Sequence, residues 1–189
     1  DKCMEPPMEI KNEGFKTGSK VQYVALAGDF GKTGLEYTGC LNVLKIIMSY
    51  DYLWTNVRVL GGAYGAMCDF NRFGICYFTS YRDPNLKKTY DVYRKAVKYV
   101  EEFDCTERDM TKYIIGTISG VDMPLSPSML GSFSFSVYMT GVTDEDRQKN
   151  RDQILSTTPE DIRALAPYVR ILSESDAICT VGGEEKLNE

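Results

Sequence analysis

Residues Ala63–Tyr81, AYGAMCDFNRFGICYFTSY, hold two aromatic-rich runs, Ala63 to Phe70 and Ile75 to Tyr81, on either side of Asn71-Arg72-Phe73-Gly74. Asn and Gly are turn formers, so two strand-like runs this close together read as a β-hairpin. Any sheet that contains the hairpin is at least partly antiparallel. Upstream, the nearly all-apolar run Val21–Gly28 (VQYVALAG) predicts a strand near a sheet centre. Downstream, consecutive helical patterns precede a last strand at Ala177–Val181. Strands, then helices, then a strand predict an α+β sandwich: a mixed, largely antiparallel sheet with helices on one face.

The helices are placed by their caps. Thr33, with Glu36 three residues on, predicts a capping box for a helix carrying Tyr37, Leu41, Leu44 and Met48 to about Trp54. A loop with Arg58 and Gly61-Gly62 then leads into the hairpin. Asp83-Pro84 predicts the next start, with Leu86, Tyr90, Tyr93, Val97 and Val100 on one stripe. Thr106 and Asp109 open another, carrying Met110, Ile114, Ile118 and Val121. Phe133–Met139 (FSFSVYM) alternates like a strand but equally suits a buried helix. Thr143 and Thr158 cap two more helices.

The chain has 189 residues, 43% hydrophobic and 26% charged, which suits one ordered domain with a sizeable core. A net charge of -5 and no basic stripe argue against a nucleic-acid partner. No apolar run approaches the roughly 18 residues of a membrane span, so no membrane partner is expected. DKCMEPPMEI lacks the apolar core of a signal peptide, and the start at Asp1 suggests a piece of something longer. Cys3, Cys40, Cys68, Cys76, Cys105 and Cys179 include no CxxC pair and read as reduced thiols. A turn centred between Arg72 and Phe73 pairs residue 69 with 76, leaving Cys68 off register for a bridge to Cys76. With no histidine at all, the chain has no imidazole base, imidazole metal ligand or Ser/Cys–His nucleophile.

Three motifs remain. Gly31-Lys32-Thr33 lies between a strand and a helix, as a phosphate loop would, but the spacing needs glycine where Leu26 stands. A nucleotide binder is therefore a distant alternative. Asp144, Glu145, Asp146, Glu184 and Glu185 sit at helix starts or in the tail, where dipole complementarity accounts for them. The segment Asn56–Gly65 (NVRVLGGAYG) can present a guanidinium, Arg58, beside a phenol, Tyr64. Both donate hydrogen bonds without titrating, which suits stabilising an oxyanion or clamping a peptide backbone.

The run Asn56–Tyr90, NVRVLGGAYGAMCDFNRFGICYFTSYRDPNLKKTY, closely resembles the C-terminal part of presequence-protease-like zinc metallopeptidases of the pitrilysin/insulinase superfamily. The likeness extends to Ile114–Ile118, Leu155–Thr158 and the terminal VGGEEKL. The resemblance implies an insulinase-like α+β domain, the last of a clamshell enzyme whose two halves close on unfolded peptides, and it favours a helix over Phe133–Met139. It also implies that zinc belongs to the N-terminal half of the polypeptide, on an inverted HxxEH motif absent here, so that this chain holds no metal and alone cuts nothing. Arg58 and Tyr64 match the family's arginine and tyrosine in type, spacing and flanking Gly61 and Gly62. By resemblance Tyr64 donates to the scissile carbonyl and Arg58 holds the substrate backbone. An inactive scaffold or peptide-binding domain of the same fold is the alternative, and an HxxEH motif upstream would separate the two. No address is carried; the bacterial cytoplasm is expected, with organelles as the other case.

Overall fold

Alternation along two strands decides the layering. In β2 (Gln22–Asp29) Gln22, Val24 and Leu26 are buried while Tyr23 is exposed; in β4 (Ile75–Asp83) Cys76, Phe78 and Ser80 are buried while Ile75 and Tyr81 are exposed. One sheet face is thus covered and the other open, the period-two signature of a half-buried sheet. The computed structural model describes residues 12–188, so Cys3 and the lead-in lie outside the described residues. With β1 (Glu13–Thr17), β3 (Gly65–Phe70) and β5 (Ala177–Gly183), the sheet has the order β1-β5-β2-β4-β3. Only the β1–β5 pair is parallel. The hairpin and both predicted flanking strands are present, in an α+β fold.

The helices are α1 (Cys40–Ile47), α2 (Lys87–Glu101), α3 (Glu107–Val121), α4 (Pro127–Thr140), α5 (Asp144–Leu155), α6 (Pro159–Ala164), α7 (Ala166–Ser173) and the short α8 (Glu184–Leu187). The core forms where Leu41, Leu44 and Ile47 of α1, Tyr93 and Val100 of α2, and Val169 and Leu172 of α7 meet Val24, Leu26 and Phe78 of the sheet. Phe78 and Tyr93 pack ring to ring at 5.4 Å.

Three caps act as read: Thr106, Thr143 and Thr158 each accept from the backbone N–H three residues on, the last two within full capping boxes. Two do not. Thr33 donates its hydroxyl to the Phe30 carbonyl at 2.7 Å inside a 3-10 turn, Gly31–Thr33, and α1 begins only at Cys40. The start is set instead by α5: Gln153 accepts the Gly39 N–H at 2.8 Å, and a Cβ on Gly39 would stand 2.4 Å from the Asn150 carbonyl oxygen. Asp83 ends β4 rather than capping α2, which starts four residues later.

The hairpin register pairs Phe70 with Cys76 and Cys68 with Phe78, one residue from the expected 69–76 pairing, because Asn71 and Ile75 close the turn around three residues. Cys68 and Cys76 are not partners in either register. Both are buried thiols, pushed up to about 12 by loss of solvation. Phe133–Met139 is helical, within α4, but not buried: the Arg147 guanidinium lies over the Phe133 ring at 5.3 Å, while Phe135, Tyr138 and Met139 are exposed.

Candidate active-site corner

The expected loop around Arg58 is instead a continuation of α1. Winding persists as π-helical turns over Met48–Tyr52 and Trp54–Val59, closed by the Leu60 N–H donating to the Thr55 carbonyl at 2.9 Å. Arg58 therefore sits on the last turn of a helix, a wide turn of a kind that recurs at functional sites. Four residues earlier, Trp54 falls on the same side, and the Arg58 guanidinium carbon lies 3.8 Å from its ring centre.

The two glycines then reverse the chain. Gly62 has φ +82°, and its N–H donates to the Arg58 carbonyl at 2.9 Å, the usual glycine end of a helix. A Cβ on Gly61 would meet the Val57 carbonyl oxygen at 2.3 Å, so no side chain fits there. The Gly61 carbonyl in turn accepts from the Asn85 amide at 2.6 Å. Ala63 is buried, and Tyr64 comes out of the turn with its N–H donating to the Tyr81 carbonyl at 3.1 Å.

Arg58 and Tyr64 are brought together. The Arg58 Nε–H donates to the Tyr64 backbone carbonyl at 3.0 Å, which leaves the terminal N–H groups of the guanidinium for other acceptors. Tyr64 is 67% exposed, and its ring stands edge-on to Tyr81 at 5.6 Å; Tyr81 meets Tyr23 at 5.4 Å. A phenol and a guanidinium thus share one exposed corner at the edge of the open sheet face. The corner donates hydrogen bonds and contains no base.

Nor does it suit a metal. Zinc wants imidazole, thiolate or carboxylate donors converging on one point, and among the described residues no group of three or more such side chains is so arranged. The described residues therefore offer zinc no fitting site.

Other candidates resolve into structure. Lys32 pairs with Asp29 at 3.3 Å, and the Gly31–Thr33 turn packs against Gly74, which leaves no phosphate cradle. Asp144 pairs with Arg147, Asp146 closes a capping box, and Glu184 pairs with Lys16. Sequence reasoning missed Trp54, Tyr81 and Asn85. Trp54 was within reach, since a helix carried one turn further places it under Arg58; Asn85 was not, since its contact with Gly61 is non-local.

A helix layer on one face of a mixed, largely antiparallel sheet defines a class of fold. It is the fold of the peptidase M16 inactive domain from Pseudomonas fluorescens, whose structure superposes with a TM-score of 0.66 at 15% identity over 95% of this chain and 45% of that one. The chain itself belongs to the PreP C-terminal domain family, whose model matches residues 12–181. It is 46% identical over 95% of its length to Protein HypA of Clostridium perfringens, and 36% identical over 96% to presequence protease 1, chloroplastic/mitochondrial, of Arabidopsis thaliana. It spans only 18% and 17% of those relatives. Among the described residues no helix is long and apolar enough to cross a membrane.

Proposed function

We propose that this chain is the non-zinc-binding C-terminal domain of a zinc metalloendopeptidase that degrades unfolded peptides in an enclosed chamber. The observation that carries the reading is the exposed Tyr64 held by Arg58 through a 3.0 Å hydrogen bond at the end of a glycine-reversed helix. Metal, base and nucleophile fall to the N-terminal half of the longer polypeptide. From this side, the Tyr64 hydroxyl donates to the scissile carbonyl oxygen as negative charge gathers there. The free N–H groups of Arg58 hold the substrate backbone beside Gly61 and Gly62, whose reversal of the chain sets Tyr64 next to Arg58. Closing the two halves assembles donors and nucleophile only around a bound peptide. The bacterial cytoplasm is the setting this reading takes, with an organelle as the other case, since its relatives include both a clostridial protein and presequence proteases named chloroplastic or mitochondrial.

The 189-residue chain is expected to release no product from a fluorogenic peptide, with or without added zinc; turnover that scales with its concentration would overturn the reading. In the full-length enzyme, Arg58→Ala should raise KM for a short peptide about 10-fold, with a smaller change in kcat. An unchanged KM would remove Arg58 from substrate binding.

A further inference from the structure

Strand alternation breaks at the end of β4. Against β2, Gln22 faces Asp83 and Val24 faces Ser80, so Tyr23 alone faces two residues, Tyr81 and Arg82. This is a β-bulge, a device that re-aims side chains and recurs beside active sites. In an unbroken strand Arg82 would share the helix-covered face with Ser80, and Asp83 would turn outward. Instead Ser80 and Asp83 are both buried, 4% and 0% exposed, and Tyr81 and Arg82 are both exposed.

The bulge is held by an unfavourable backbone. Among the described residues Arg82 is the one non-glycine residue at positive φ, +49°. That region is disfavoured for any L side chain and costs glycine nothing, so an arginine here is a sign that its side chain is used. The Arg82 guanidinium carbon lies 5.7 Å from the Tyr81 ring centre, and the Tyr64 ring lies 5.6 Å from the same ring. The Arg82 carbonyl takes a second, longer hydrogen bond from the Tyr64 N–H at 3.4 Å.

The corner therefore has two guanidinium groups, each beside an aromatic ring. Arg147, Arg151, Arg163 and Arg170 are ion-paired within the chain, whereas among the described residues Arg58 and Arg82, like Arg72, Arg94 and Arg108, are not. The adjacent carboxylate, Asp83, is turned to the other sheet face, where it accepts from Asn85 and Thr89. A planar fork of N–H donors with no acid of its own matches a carboxylate better than a single carbonyl.

We infer that Arg82 is a further substrate-binding residue, whose guanidinium takes a carboxylate of the bound peptide beside Tyr64. The inference rests on the reading of the Tyr64 corner given above. The carboxylate can be an acidic side chain or a free C-terminus, and three peptides separate the sources: one with an internal Glu and an amidated end, one without acidic residues but with a free end, and one with neither.

The test is Arg82→Gly in the full-length enzyme, because glycine removes the guanidinium while relieving the backbone. KM should rise about 10-fold or more for at least one carboxylate-bearing peptide and stay constant for the neutral one. The thermal midpoint should not fall, and Arg82→Lys, which keeps the charge, should recover part of the affinity. An unchanged KM for all three peptides, or an equal rise for all three, overturns the role for Arg82. Tyr64→Phe is run on the same peptides: if it slows all three, the corner stands whatever Arg82 does. If it slows none, the corner reading fails and this inference with it.

Discussion

Tyr64→Phe in the full-length enzyme is expected to lower turnover about 100-fold or more, the usual result of deleting one donor to a developing oxyanion. The substitution removes one oxygen atom from a side chain that is 67% exposed. Its ring contact with Tyr81 at 5.6 Å needs no hydroxyl, so stability should stay within about 0.5 kcal/mol of wild type. A loss of kcat with KM nearly unchanged would place the hydroxyl's contribution in the transition state. Full turnover by the phenylalanine enzyme, measured on a short fluorogenic peptide, would rule Tyr64 out as the donor.

Asp83→Ala should be the most damaging single change to the fold around the corner. Asp83 is fully buried; it accepts the Asn85 N–H at 2.8 Å and the Thr89 hydroxyl at 2.7 Å. Removing the carboxylate leaves the buried Thr89 hydroxyl without its acceptor and the half-buried Asn85 N–H unpaired, a cost of about 2 kcal/mol. The same Asn85 holds the Gly61 carbonyl at 2.6 Å, so the turn that carries Tyr64 loosens as well. Urea unfolding of the 189-residue chain should show the drop in stability, with Asp83→Asn falling less because one acceptor survives. A midpoint equal to wild type would show that water replaces the carboxylate at no cost.

The parts of the fold written in local patterns were legible. The hairpin at Ala63–Tyr81 followed from two runs and a turn, and the Thr106, Thr143 and Thr158 caps followed from side chains that serve backbone groups three residues away. Thr33 satisfied the same pattern and failed: its hydroxyl serves the Phe30 carbonyl, Gly34 turns left-handed directly after it, and α1 starts instead where Gly39 meets α5. Cap chemistry favoured Thr33, since Gly39 has no capping side chain. A non-local backbone contact decided between them.

The candidate corner divides in the same way. Arg58, Gly61, Gly62 and Tyr64 could be picked out as a donor pair on a flexible backbone, and the absence of histidine fixed that this chain brings no imidazole to any metal. The sequence by itself thus determined the chemistry available and the α+β frame, because residue identity and short-range hydrogen bonding carry both. Only the tertiary structure decided that the helix winds on through Arg58, that Asn85 pins the turn, and that an extra residue in β4 turns Arg82 outward. Each of those depends on where β2, β4 and α1 meet, and pairing register between segments distant in sequence leaves no mark on either segment alone.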